Sequence, residues 1–133
     1  MGDNHALLEG LDYFRLTGWK DALIEEYSLG MKKKIGLIAA FLGAPALILL
    51  DEPLNGLDAE SMRLLRLRIE ESHRRGTAFV LCSHTMGFVE RVCRRVAVLK
   101  KGRVVVEGSP SEVRARSGMP EAAFEDVFLH FAL

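Results

Sequence analysis

The sequence predicts an α/β fold in which helices flank a parallel sheet. Two segments, residues 46–50 and 78–82, are apolar at every position, a pattern typical of strands that are covered on both faces. Residues 59–75, between them, carry apolar side chains at helical spacing. The order strand, helix, strand, helix, strand, which ends with a strand at 96–99, is the one that crossover connections produce in a parallel sheet. With 133 residues, of which 49% are hydrophobic, the chain can bury one modest core.

Two helices are expected before the first strand. Asp3 or Asn4 can cap a helix that runs to Leu16. Ser28 precedes a second helix, which we expect to end near Leu42, where a glycine and a proline follow.

The later elements follow from caps, turns and apolar runs. They are expected to be a helix at 59–75 capped by Asp58, a strand at 78–82, a helix at 86–93, a strand at 96–99, a hairpin turn at 100–102, a strand at 104–106, a helix capped by Ser109 or Ser111 that ends near Arg116, and a last helix at 121–131.

The composition excludes several classes of protein. Lys and Arg total 18, as do Asp and Glu, so the net charge is zero and no nucleic-acid partner is expected. Cys82 and Cys93 lack metal-ligand spacing, and we expect two buried, reduced thiols in a cytosolic setting. The first five residues contain no Lys or Arg, so no signal peptide is expected. The longest apolar stretch, 35–50, is interrupted by glycine and proline, so no membrane span is expected.

Polar residues follow both predicted parallel strands. Asp51 and Glu52 come directly after the first strand, and His84 follows the second. Ligands bind at the carboxyl ends of strands in such sheets, and paired carboxylates suit a site for a metal and a phosphate. Ordinary polar strand ends, with a structural histidine, remain the alternative explanation.

The start of the second helix is a candidate anion site. The Ser28 hydroxyl, the free N–H groups of the first turn and the positive helix end favour an anion near Gly30. An ordinary N-cap followed by solvated lysines at 32–34 is the alternative. Residues 55–58 have the composition of an ordinary turn that ends in an N-cap.

Four segments together resemble the ATP-binding cassette (ABC) ATPases. In chain order they are similar to the signature motif at 27–31 (Tyr-Ser-Leu-Gly-Met), the Walker B strand at 47–53 (Leu-Ile-Leu-Leu-Asp-Glu-Pro), the D-loop at 54–58 (Leu-Asn-Gly-Leu-Asp) and the switch histidine at 83–84. The resemblance covers about Leu7 to Glu112. The form of the signature and the tail at 124–128 resemble the ABC-2 exporter subfamily.

This resemblance implies part of a P-loop NTPase (RecA-like) sheet and part of the ABC helical subdomain. Residues 1–45 would be the helical subdomain with the signature motif, 46–116 the core from Walker B onward, and 117–133 a C-terminal helix. It also implies the cofactors ATP and Mg²⁺. Asp51 would hold Mg²⁺ through water, Glu52 would act as general base on the attacking water, and His84 would contact the γ-phosphate.

The signature motif would serve a second subunit, since the family forms a head-to-tail ATP sandwich. Ser28 and Gly30 would bind the γ-phosphate of ATP held by the partner, with Leu29 and Met31 beside them. Asp58 would lie across the dimer interface. Leu29 and Met31 replace the Gly and Gln of the commonest signature.

The sequence contains no G-x-x-x-x-G-K-[ST] motif, which in the family holds the phosphates. We therefore expect a C-terminal portion of the domain that has no meaningful ATPase activity alone. The strand that carries this motif would neighbour residues 47–50, whose edge would otherwise be open and apolar. Strand exchange with a second copy, or aggregation, is expected as a consequence.

The resemblance implies an ATP-binding subunit of an ABC exporter, which couples ATP binding and hydrolysis to export through a transmembrane permease subunit. Its second partner would be another ABC ATPase subunit or a second copy of itself, at the cytoplasmic face of the membrane. One alternative is a non-catalytic module that donates its signature motif to another ABC ATPase. Another is an ABC ATPase that functions outside transport.

Overall fold

The computed structural model describes residues 4–133 and contains two compact units. The first unit ends at Cys82, and the second comprises Ser83–Leu133. The first unit contains α1 (Asn4–Tyr13), two short 3₁₀ helices (Thr17–Trp19 and Ile24–Glu26), α2 (Leu29–Phe41), β1 (Leu47–Asp51), α3 (Ala59–Arg74) and β2 (Ala78–Cys82). The second contains α4 (Met86–Val92), β3 (Val96–Lys100), β4 (Arg103–Gly108), α5 (Pro110–Ser117) and α6 (Phe124–Ala132).

The first unit confirms the parallel sheet with flanking helices. β1 and β2 pair in parallel, with Leu47 opposite Ala78 and Asp51 opposite Cys82. One face of this sheet is buried, and there the ring of Phe79 lies 5.9 Å from the ring of Phe41 on α2. The strand end that carries the acidic pair is therefore supported by a packed helix layer.

The prediction that both strands are covered on both faces is wrong. Ile48 and Leu50 are buried, but Leu47, Leu49 and Val80 are between 52% and 69% exposed. Side chains alternate between the faces of a strand, so these three lie on one face together with Ala78. We call Leu47, Leu49, Ala78 and Val80 the open sheet face. Helix packing within the first unit covers the opposite face only.

The third predicted strand does not extend the parallel sheet. β3 pairs antiparallel with β4 in a separate sheet of two strands. The turn between them has positive φ at both Lys101 and Gly102, as in a type I′ turn, which matches the twist of a hairpin. The hairpin prediction is confirmed, and it accounts for the pairing of β3.

α1 ends at Tyr13 and not at Leu16. The N–H of Arg15 donates to Asp12 and that of Leu16 donates to Leu11, the two hydrogen bonds of a Schellman motif. Arg15 occupies the left-handed position, with φ of 61°. Leu11 and Leu16 are both buried, so their packing holds this early helix end in place. The alternative cap Asp3 lies outside the described residues.

Other helix boundaries follow the predicted caps. Ser28, Asp58 and Ser109 each accept a hydrogen bond from the backbone N–H three residues later. Ser109, and not Ser111, caps α5, and Glu112 completes a capping box. The last helix begins at Phe124, later than predicted, because the preceding residues form a turn in which Ala122 N–H donates to the Met119 carbonyl.

Each unit has its own buried apolar residues. The first contains Leu11, Phe14, Leu37, Ile38, Ile48, Leu50, Leu54, Leu57, Leu65 and Ile69, and the second contains Met86, Val98, Val106, Val113, Phe124 and Val127. Of the two thiols predicted to be buried, Cys82 is exposed and Cys93 is half-buried, with its pKa raised by burial. None of the described helices combines the length and apolar character needed to cross a membrane.

Candidate functional site

The end of β1 is conformationally unusual. Glu52 has φ of 44°, in the left-handed region, and its N–H donates to the Cys82 carbonyl at 2.8 Å. A left-handed conformation costs a non-glycine residue roughly 1–2 kcal/mol. The hydrogen bond to the Cys82 carbonyl, together with the fully buried ring of Pro53, holds Glu52 in this conformation. Such strain is concentrated at functional sites, and here it falls on the second residue of the acidic pair.

The two carboxylates of the pair differ in their surroundings. Asp51 is exposed, whereas Glu52 is half-buried and its Oε2 atom is inaccessible to solvent. Among residues 4–133 no cluster of three or more His, Cys, Asp or Glu side chains forms a metal cage. Mg²⁺ prefers one or two carboxylates together with phosphate and water oxygens, so a pair of this kind fits Mg²⁺ bound with a phosphate.

A short ordered loop connects the acidic pair to α3. Leu54 and Leu57 are buried, and the Leu57 N–H donates to the Leu54 carbonyl at 3.1 Å. Gly56 has φ of 80°, a conformation that favours glycine. Asp58 ends the loop by accepting a 2.7 Å hydrogen bond from Ser61 N–H. The predicted turn with an N-cap is confirmed, and its backbone is held by two buried leucines.

The first turn of α2 is built as an N-cap. Ser28 Oγ accepts from Met31 N–H at 3.2 Å, and its own hydroxyl proton remains able to donate to an acceptor such as a phosphate oxygen. The N–H groups of the first helical turn have no acceptor within the helix. Leu29 is 77% exposed beside them. The turn can therefore present a hydroxyl and backbone N–H groups to an anion.

Tyr27 anchors the chain immediately before this turn. Its ring is buried, and its hydroxyl donates to the Trp19 carbonyl at 2.7 Å. The two rings also meet edge to face at 6.3 Å. In the sequence, Tyr27 stands out only as the first residue of the segment that resembles the signature motif. The tyrosine eight residues after a tryptophan carried no signal that the two would meet.

The structure brings the first turn of α2 and the loop after the acidic pair into contact. A Cβ built on Gly30 would lie 2.7 Å from the carbonyl oxygen of Gly56. The Leu29 side chain lies 3.6 Å from the position that a Cβ on Gly56 would take. This contact of Gly56 has no sequence signal, because a glycine in a turn indicates only a backbone conformation and not what the turn touches.

His84 belongs to the second unit, where it precedes α4. The neighbouring Ser83 Oγ accepts from Thr85 N–H at 3.1 Å, which shapes the turn into that helix. The convergence of His84 with Asp51 and Glu52 stays a prediction of the sequence.

The cap at Asp58 predicts a pH dependence. Hydrogen bonds from Ser61 hold the pKa of the Asp58 carboxyl below its ordinary value. Its contribution to stability is therefore present above the unfolded pKa of about 4 and is lost as pH falls through the folded pKa. In Asp58→Asn the cap remains but does not titrate. The Tm difference between wild type and Asp58→Asn is expected to shrink between pH 6 and pH 3. A Tm difference that stays constant over this range would contradict the lowered pKa of the Asp58 carboxyl.

Comparison with known protein families defines the class of this chain. The model of the family described as "AAA domain, putative AbiEii toxin, Type IV TA system" matches residues 5–90. A solved structure described as "Structure of ATP binding subunit of ABC transporter" superposes with a TM-score of 0.89 at 30% identity, and the match covers 96% of this chain and 53% of that chain. These matches define an AAA-type domain with the fold of an ABC transporter subunit.

Individual relatives narrow the class. The chain is 37% identical over 103 residues to the ABC-type transporter ATP-binding protein EcsA of Bacillus subtilis. The aligned region covers 77% of this chain and 42% of that protein. The chain is 36% identical over 105 residues to the Nod factor export ATP-binding protein I of Paraburkholderia xenovorans, with 79% and 34% covered. The chain belongs to the family of ABC transporter ATP-binding proteins. It spans less than half the length of these curated relatives.

Proposed function

We propose that this chain forms part of the ATP-binding subunit of an ABC exporter. This part carries the first turn of α2, residues 28–31, which we call the signature turn, and the acidic pair Asp51 and Glu52 at the end of β1. One observation supports the proposal above the others: the strained Glu52, next to Asp51, leads into a loop that packs against the first turn of α2. The strained backbone of Glu52 and the turn that would bind the anion thereby lie in one compact unit. Coupling of ATP hydrolysis to export would be the activity of the whole subunit.

The acidic pair would act on the terminal phosphate of ATP. Asp51, exposed at the end of β1, would hold Mg²⁺ through water, and the metal would neutralise charge on the phosphates. Glu52, half-buried and fixed by its backbone bond to Cys82, would accept a proton from the attacking water. His84 would contact the γ-phosphate.

The signature turn would act on ATP held by a second subunit. The Ser28 hydroxyl would donate a hydrogen bond to a γ-phosphate oxygen while its oxygen still caps α2. The Gly30 N–H would donate a hydrogen bond to the same phosphate. Leu29, which is mostly exposed, and Met31 would line the surface between the subunits. Asp58 would lie at that interface and would also cap α3.

The partners we propose are a transmembrane permease subunit and a second ATP-binding subunit, at the cytoplasmic face of the membrane. A second copy of this chain is a further proposed partner. The open sheet face exposes apolar side chains, and because the sheet has only two strands, each strand also has an unpaired edge. Zero net charge gives no general attraction to nucleic acid, so none is proposed.

Ser28→Ala tests the signature turn. The assay measures capture of a full-length ABC ATP-binding subunit, carrying its own P-loop, by the immobilised chain with and without Mg²⁺ and ATP. We expect ATP to raise capture by wild type and Ser28→Ala to reduce that gain at least tenfold, because a charge-assisted hydrogen bond is worth about 1.5–3 kcal/mol.

Ser109→Ala is the matched control. Ser109 caps α5 with the same 3.2 Å acceptor geometry as Ser28, so both variants lose an N-cap worth about 1 kcal/mol of stability. Only Ser28→Ala should lose the ATP-dependent gain. Capture that ignores ATP, or that falls equally in both variants, would refute the proposed function.

A further inference from the structure

Gly30 and Gly56 meet backbone to backbone. A Cβ on Gly30 would lie 2.7 Å from the Gly56 carbonyl oxygen and 3.9 Å from its carbonyl carbon. The obstructing atom belongs to the backbone, so it cannot rotate away as a side chain could. Gly36, on the same helix, has nothing within 4 Å of the corresponding position. The absence of a side chain at Gly30 therefore has a local steric reason that does not apply to Gly36.

The loop that carries Gly56 has little freedom to retreat. Leu54 and Leu57, on either side, are 3% and 7% exposed and are joined by a backbone hydrogen bond. Asp58 fixes the end of the loop as the cap of α3. Moving the Gly56 carbonyl would require the buried leucines to repack, which a dense core resists.

Two further interactions link the same elements. The Leu29 side chain packs over Gly56, with Cγ and Cδ2 at 3.6 and 3.7 Å from the position of a Cβ there. The Lys34 ammonium, on α2, contributes to the field at the Asp58 carboxyl. Helix α2 thus meets the loop by a backbone contact, a side-chain contact and a favourable charge.

We propose that Gly56 is a positioning residue, whose carbonyl sets the place of the first turn of α2 relative to the loop that follows Asp51 and Glu52. A displacement of either segment would therefore be transmitted to the other. The inference rests on the proposed function only in assigning a phosphate to the turn; the mechanical coupling is a property of the first unit itself.

Gly30→Ala and Gly36→Ala test the coupling in the 133-residue chain without nucleotide. Gly30→Ala is expected to shift the backbone amide NMR resonances of residues 54–58 and to lower Tm by about 5 °C. Gly36→Ala is expected to leave those resonances in place and to raise Tm by roughly 3 °C, because alanine is favoured over glycine inside a helix. The proposal is wrong if Gly30→Ala leaves the loop resonances unchanged, or if Gly36→Ala moves them equally.

Gly56→Val and Gly56→Asn test the reverse direction. Asparagine adopts positive φ more readily than other side chains, and a Cβ at Gly56 meets only ordinary contacts, whereas valine disfavours this conformation. Gly56→Val should shift the amide resonances of residues 28–32 and reduce ATP-dependent capture, and Gly56→Asn should retain both. A loss of Tm in Gly56→Val with unchanged resonances at 28–32 would reduce Gly56 to a structural role.

The two hypotheses fail separately. If ATP does not raise capture by wild type, the proposed function fails, and the resonance shifts still decide the coupling between the two segments.

Discussion

Leu65→Ala is expected to lower the free energy of unfolding of the first unit by about 3–4 kcal/mol, within the range of leucine truncations in a core. The Leu65 side chain on α3 is 0% exposed, so its removal loses apolar burial and leaves a cavity. A loss of this size is a large part of the roughly 5–15 kcal/mol that stabilises a domain. Urea unfolding followed by fluorescence of Trp19, the single tryptophan, reports on this unit.

Leu49→Ala is the matched control for that experiment. Leu49 is 69% exposed on the open sheet face, so at protein concentrations low enough to keep the chain monomeric its truncation should cost less than about 1 kcal/mol. Equal losses for Leu65→Ala and Leu49→Ala at such a concentration would contradict the prediction for Leu65.

Self-association of the chain is the second large expected effect. The open sheet face exposes Leu47, Leu49 and Val80 on a sheet in which both strands are edges, an arrangement that favours pairing with another chain. Sedimentation velocity is expected to find species heavier than the 14.8 kDa monomer. Val80→Lys is expected to shift the population toward monomer, since a lysine on an edge strand opposes pairing.

Val104→Lys provides the comparison for Val80→Lys. Val104 is 56% exposed on β4, close to the 52% of Val80, but it lies in the second unit. The substitution Val104→Lys should therefore leave the self-association unchanged. A monomeric wild type, or an equal shift in both variants, would rule out association through the open sheet face.

Local signals predicted most of the elements correctly. Ser28, Asp58 and Ser109 mark helix starts because a side-chain oxygen three residues before a backbone N–H can satisfy it without help from the rest of the fold. The turn at Lys101–Gly102 is equally local. The early end of α1 has no sequence signal, because Arg15, and not glycine, occupies the left-handed position, and the burial of Leu11 and Leu16 compensates.

The candidate residues of the site follow from the sequence, but their contacts do not. The order of the signature, acidic and histidine motifs identified Ser28, Asp51, Glu52 and His84 as candidates. The left-handed backbone of Glu52 and the anchoring of Tyr27 by Trp19 carry no sequence signal, since Glu52 depends on its pairing with Cys82 and the contact of Tyr27 with Trp19 depends on how the intervening segment turns.

The sequence by itself determined which residues are candidates for the chemistry, where most elements begin, and which family the chain belongs to, because these depend on residue type and short spacing. Only the tertiary structure decided that one face of the parallel sheet stays open and that Gly30 lies against Gly56. Those features depend on which surfaces meet when the helices pack, and the free energy of that packing comes from contacts between residues far apart in the chain.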